Sequence, residues 1–299
     1  MRFPPLLSAG ARVGLVTPAG PVRGREDVHR AEAAARRMGW EPVVGRHVLE
    51  RDGYLAGNDG HRLADLNRFA ADDAIDAIWC IRGGYGAMRL LGGLDYAAWR
   101  RRPKALIGYS DITALHAAIG PRAELVTFHA PTAREEMIAS TADSFARAVV
   151  HGADSCGVAT EGHTLVGGRA RGRLAGGNLA LLAALCGTPY APSFDGAILV
   201  LEDVNEPVYR IDRMLAQLRL AGAFDHIAGV AFGQFTEIPP DPINEVRPLD
   251  TLLHEVAASL GVPCVAGIPM GHVREQWTFP LGAVAELDAD ELSLRVDRT

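Results

Sequence analysis

Cysteine is scarce in this 299-residue chain, and the four present lie far apart: Cys80, Cys156, Cys186 and Cys264. With no CxxC pair, a zinc knuckle or a thioredoxin-like redox motif is excluded. Cys80, inside the apolar run Ile78-Trp79-Cys80-Ile81, reads as a buried small hydrophobe. Positive charge is also in short supply. The 30 Lys+Arg face 36 Asp+Glu for a net charge of −6, which argues against nucleic acid or an anionic membrane as partners. The densest basic stretch, Trp99–Lys104 (WRRRPK), reads as a solvated helix end ahead of a strand. No apolar run approaches the roughly 18 to 20 residues that a membrane span needs. The first twenty residues hold Arg2 and Arg12 around a short PPLL patch, so no signal peptide is predicted and a reduced, cytoplasmic setting is expected. There is no GxGxxG, no GKS/T, no HExxH and no clustered set of His/Asp ligands along the chain. Neither a cofactor nor a metal is therefore expected.

What is present is an ordinary globular composition, 48% apolar and 22% charged, in a chain long enough for two domains. Short apolar runs alternate with amphipathic segments through roughly the first 130 residues. Strands are predicted at Arg12–Val16, Glu41–Val44, Ala74–Ile81 and Ala105–Ile107, and helices at Glu26–Met38, Gly60–Ala70 and Ile112–Ile119. Strand–helix alternation with near-continuous apolar strands is the mark of a parallel α/β sheet, Rossmann-like or flavodoxin-like. Residues 133–150 look helical, and 151–175 look like a polar, Gly-rich, irregular connection. Beyond it, helices are expected at Asn178–Cys186 and Val208–Leu220. Strands are expected at Ala197–Leu201, Ile227–Phe232, Val262–Ile268, Ala283–Leu287 and Leu292–Val296. The expected domains are 1–132 (α/β), 133–175 (connection) and 176–299 (smaller and β-rich).

The sharpest local feature is Leu106-Ile107-Gly108-Tyr109-Ser110-Asp111-Ile112-Thr113, where a strand runs directly into a helix with Ser110 at the junction. Such a turn can lift a serine hydroxyl out of the sheet and aim the next N–H groups at a ligand. On this segment alone, a plain helix N-cap by Ser110 or Asp111 is the simpler account. Two further strand ends carry chemistry: Glu202 and Asp203 after Ala197–Leu201, and His272 after Ala266–Pro269. Sites in open α/β sheets form beyond the carboxyl ends of strands. Ser110, Glu202 and His272 thus stand in the order nucleophile, acid, base, as a base activating a hydroxyl and a carboxylate fixing its tautomer require. Each also has an ordinary surface or capping role open to it. Arg82-Gly83-Gly84-Tyr85-Gly86 is either a turn or a loop whose backbone N–H groups approach a ligand closely.

Together several segments resemble the LD-carboxypeptidase family, serine peptidases that also include the microcin C self-immunity peptidases. They are VTPAGPV (16–22), GYLAGND (53–59), IRGGYGAMRLL (81–91), LIGYSDITALH (106–116), FHAP (128–131), GRLAGGNLALLAALCGTPY (172–190), LVLEDVNEPVYRIDRMLAQL (199–218) and GIPMGH (267–272). The family's HGPM appears here as His129-Ala130-Pro131-Thr132, a small departure. The resemblance implies a triad of Ser110, Glu202 and His272, with Glu206 as the alternative acid, and an oxyanion hole from the N–H groups of Gly84 and Asp111. It also implies a homodimer that releases terminal D-Ala from a murein tetrapeptide at an L,D-peptide bond during wall recycling. Arg82 is a candidate for the substrate's free carboxylate. A microcin-type peptidase acting on an aminoacyl-nucleotide conjugate is the rival within enzymes, kept open by Trp277 near His272. A non-catalytic binding module, with Ser110 as a cap only, is the rival outside them.

Overall fold

The computed structural model describes residues 1–240 and 247–298, so the expected chain end at 299 lies outside the described residues. The first half contains strands β1 (Arg12–Val16), β2 (Glu41–Val44), β3 (Ala77–Cys80), β4 (Ala105–Gly108) and β5 (Thr127–His129). Between and after them run helices α1 (Arg25–Arg37), α2 (Asp59–Ala71), α3 (Tyr96–Arg101), α4 (Thr113–Ala123) and α5 (Ala139–Ala146). Helix α1 shows why: Val28, Ala31, Ala34 and Ala35 form one buried stripe, Glu26 and Asp27 sit in the first turn, and Arg36 and Arg37 in the last. Those charges complement the helix dipole, and Gly39 at φ 77° ends the helix.

In the first sheet the strand order is β2-β1-β3-β4-β5, all parallel, which is the flavodoxin order expected of a doubly wound domain. The sheet has a sixth strand that comes from far along the chain: β12 (Phe279–Leu281) pairs antiparallel with β5. Strand β3 is buried throughout, and Trp79 packs its ring on Phe145 of α5 and edge-on to Trp40, with centroids 5.1 and 5.9 Å away. Lys104, expected to be solvated, is instead buried, with Nζ donating to Phe69 O at 2.9 Å; burial pulls its pKa down to about 8.

The second sheet is built from β6 (Gly157–Val158), β7 (His163–Val166), β8 (Arg169–Asn178), β9 (Ala197–Val204), β10 (Gly229–Thr236), β11 (Cys264–Ala266), β13 (Val284–Asp288) and β14 (Ser293–Asp297). Its order is β6-β14-β13-β8-β9-β10-β11-β7, with β8 through β11 parallel and the outer strands antiparallel. Helices α6 (Leu179–Leu185), α7 (Val208–Leu220) and α8 (Leu249–Leu260) accompany the parallel part. Residues 151–175, expected to be irregular, thus carry β6, β7 and most of β8, and the helix expected over 133–150 begins only at Ala139. Gly172, one of the glycines that suggested a loop, is required by packing, since a Cβ there would lie 2.3 Å from Gly196 O; the following Gly176 of β8 is as tightly placed, with a Cβ 1.9 Å from Val200 O.

The halves are tied together close to where their strands end. Thr141 and Ser144 of α5 accept from Gln276 N and Thr278 N at 2.9 and 2.8 Å, and Thr113 of α4 accepts from Asn178 N at 3.0 Å. Among the described residues no helix is long and apolar enough to cross a membrane.

Candidate active site

The crevice of a doubly wound sheet opens at the switch point, here between β1 and β3. Residues 17–21 after β1 and 82–86 after β3 meet there, with Gly20 N donating to Gly83 O at 2.9 Å. Neither loop could carry a side chain at the contact, since a Cβ on Gly84 would lie 3.1 Å from Gly20 Cα. Arg62 of α2, 2% exposed, fixes the pair from beneath by donating to Pro18 O at 2.5 Å and Gly86 O at 3.0 Å. Nothing in the sequence patterning singled out Arg62. The signal was a basic residue on the apolar face of an otherwise amphipathic helix.

Ser110 stands at the end of β4 against this loop. Its φ of 65° puts a non-glycine residue in the left-handed region, a conformation that costs roughly 1 to 2 kcal/mol. Gly83 makes room for it: a Cβ there would sit 2.9 Å from Ser110 Cβ and 3.1 Å from its Oγ. The capping account fails for both residues, because neither the turn 110–112 nor α4 takes a side-chain cap. Asp111, 2% exposed, turns away and accepts from Ala87 N at 2.7 Å; burial raises its carboxyl to about 6 against the help of the Ala87 N–H.

Glu202 and His272 reach Ser110 from the second sheet. Glu202 lies within β9 rather than beyond it and is 0% exposed. Its Oε2 is 3.0 Å from His272 Nδ1, and His272 Nε2 is 3.2 Å from Ser110 Oγ. Space for Glu202 comes from small neighbours, since a Cβ on Gly271 would fall 3.1 Å from both its Cβ and its Oε2. Burial alone would lower the His272 pKa, but the Glu202 hydrogen bond and the charges of Glu202, Glu135 and Asp203 outweigh it, and the net shift is upward. The Tyr109 ring packs 4.8 Å from the His272 ring, and its hydroxyl donates to Glu135 Oε1 at 2.9 Å. Neither Tyr109 nor Glu135 was legible as a site residue.

The other acids of the LEDVNE segment go elsewhere. Asp203 accepts from Asn178 Nδ2 and Ala180 N, both at 2.9 Å, tying β9 to the start of α6. Glu206 lies 3.6 Å from Arg210 in an i,i+4 pair. Gly84, at φ 107°, is exposed, and no acceptor takes its N–H among the described residues. Arg82 does not touch Ser110; its Nη1 donates to Pro21 O, while its Nε would lie 3.8 Å from a Cβ on Gly84. Trp277 is half-buried, with its ring tilted against that of Phe279 at 6.2 Å. The expectation of no clustered ligands also needs correcting, because folding gathers His47, Glu50 and His61, and separately His163, Asp250 and His254.

Comparison with known proteins identifies the family. Residues 13–130 match the LD-carboxypeptidase N-terminal domain and 171–287 the LD-carboxypeptidase C-terminal domain. A Streptomyces coelicolor relative that carries a carboxypeptidase name is 44% identical, covering 99% of this chain and 96% of its own. The murein tetrapeptide carboxypeptidase of Pseudomonas aeruginosa is 36% identical with 94% of each chain covered. The microcin C7 self-immunity protein of Escherichia coli is 26% identical over 97% of this chain and 94% of its own. Among solved structures, the muramoyltetrapeptide carboxypeptidase of Oxalobacter formigenes superposes with a TM-score of 0.82 at 27% identity, covering 96% of this chain and 98% of its own. With two matched domains spanning most of its length and a serine, histidine and glutamate drawn together between them, the chain belongs to the LD-carboxypeptidase family.

Proposed function

We propose that the protein is a serine-type murein tetrapeptide carboxypeptidase that releases terminal D-Ala at an L,D-peptide bond. The observation that carries this reading is the unbroken relay from buried Glu202 through His272 to Ser110, at 3.0 and 3.2 Å. In it Ser110 Oγ attacks the carbonyl carbon of the diamino acid, and His272 Nε2 takes the hydroxyl proton. Glu202 holds the Nδ1–H tautomer and stabilises the imidazolium. The tetrahedral oxyanion is received by the N–H groups of Gly84 and Asp111, on the two loops flanking Ser110. The imidazolium then protonates the departing D-Ala amine, and a water activated by the same histidine releases the tripeptide. Arg82 is the proposed partner of the terminal carboxylate, on the strength of its charge and its position two residues before Gly84. Family resemblance supports a cytoplasmic homodimer as the working form.

One observation favours the second reading, cleavage of an aminoacyl-nucleotide conjugate. Tyr54 and Tyr85, 67% and 56% exposed, stand edge to face 5.3 Å apart next to Gly84, where a nucleobase could stack. Mass spectrometry of L,D- and L,L-linked peptides and such a conjugate, each incubated with the protein and with Ser110→Ala, decides between them. Release of D-Ala from the L,D-peptide by the wild type alone is expected. Cleavage of the conjugate alone moves the assignment to the second reading. Binding without cleavage of any substrate leaves a binding module.

A further inference from the structure

Apart from the Ser110 crevice, one group of side chains is arranged for a ligand that the peptidase chemistry does not use. His47 and Glu50 lie three residues apart in the turn after β2, and His61 lies in the first turn of α2. His47 Nδ1 is 2.7 Å from Glu50 Oε1, and His61 Nδ1 is 2.7 Å from Glu50 Oε2. The imidazoles stack face to face, 4.2 Å between centroids and 16° from parallel, so both rings turn the same nitrogen toward one carboxylate. The three donor atoms lie within 4.8 Å of one another.

We propose that His47, Glu50 and His61 form a binding site for a divalent transition-metal ion of the zinc class. Two imidazole nitrogens and one carboxylate are a donor set that suits Zn²⁺, with a fourth position left to water. An ion about 2.1 Å from each atom holds tetrahedral neighbours about 3.4 Å apart. The observed 2.7 Å contacts therefore need to open by about 0.7 Å, within reach of side chains that are 25%, 36% and 46% exposed.

The backbone around the group is fixed independently of any ion. Asp65 accepts from Arg46 N and His47 N at 2.9 and 2.8 Å, and Asn58 caps α2 by accepting from His61 N at 2.8 Å. Gly57 leaves room for the carboxylate, since a Cβ there would lie 2.5 Å from Glu50 Oε2. The ion's role is structural. It closes the segment 51–57 against the crevice loops, where Ala56 N donates to Ala19 O at 2.9 Å and Tyr54 meets Tyr85.

Titration with Zn²⁺, and with Co²⁺ read by its visible absorption, tests this on the full chain. A saturable site is expected, with the melting temperature rising as metal is added. The affinity should fall at least about a hundredfold in His61→Ala and in Glu50→Gln. His254→Ala controls for the other group, His163, Asp250 and His254, whose side chains are all about half exposed or more. Binding that is absent, or that survives in both His61→Ala and Glu50→Gln, or that vanishes only in His254→Ala, overturns the assignment. The readouts are spectral and thermal, so failure of the peptidase reading leaves the test intact.

Discussion

Replacing Glu202 with glutamine changes one atom's charge at a position that is 0% exposed, with its Oε2 3.0 Å from His272 Nδ1. On the proposed mechanism, His272 becomes a cation when Ser110 attacks, and the carboxylate stabilises it. With charge centres about 4 Å apart and an effective dielectric constant near 20, that stabilisation is about 4 kcal/mol. Since about 1.4 kcal/mol is a factor of ten, Glu202→Gln should lower kcat by roughly a thousandfold. The amide also presents a donor to Nδ1, favouring the tautomer with the proton on Nε2, which cannot accept the Ser110 proton. Glu206, 3.6 Å from Arg210, provides the control, and Glu206→Gln should stay within about threefold of wild type. Release of D-Ala, quantified by mass spectrometry on protein shown to be folded by thermal melting, measures both. A Glu202→Gln enzyme within tenfold of wild type, or an equal loss in Glu206→Gln, refutes the relay.

Ser110→Gly should abolish turnover while raising stability by about 1 kcal/mol, because glycine relieves the φ of 65°; a lower melting temperature would show that the strain is not there. The His272 pKa is raised above 6.5, and only the neutral ring accepts a proton, so the acid limb of kcat/KM should lie above pH 6.5. The sign for stability is opposite: the imidazolium–Glu202 interaction stabilises the fold below pH 6.5 and is lost as pH rises through the folded pKa. A limb at or below pH 6.5 contradicts this.

Legibility in the sequence followed how local the cause was. The Ser110 junction is a strand, a turn and a helix in nine residues, so its pattern survives without knowledge of the fold. Glu202 stood out, with Asp203, by its place at the end of an apolar run, although the strand continues through Val204; its choice over Glu206 came from the family resemblance. What stayed hidden depends on distant partners. The part of β8 up to residue 175 looked like a linker because its glycine answers to a neighbouring strand connection rather than to its own backbone. Strand β12 is three residues with a proline, acceptable only because it pairs on one side at the sheet edge. His47 and His61 meet only when α2 folds back on the turn after β2, and Asp111 binds Ala87 N, 24 residues upstream.

Strand β12 has a consequence for how the protein is made. Synthesis runs from the N-terminus, and early domains ordinarily fold as they emerge. Here the first sheet keeps β5 without a partner on its outer side until Phe279–Leu281 arrive from far along the chain. His272 lies just ahead of that strand, in the same stretch that Thr141 and Ser144 bind. Sealing the edge and bringing His272 within 3.2 Å of Ser110 therefore depend on the same stretch of chain. On the proposed mechanism, a chain folded only through β5 holds Ser110 without its base, and activity waits for the later strand to pair.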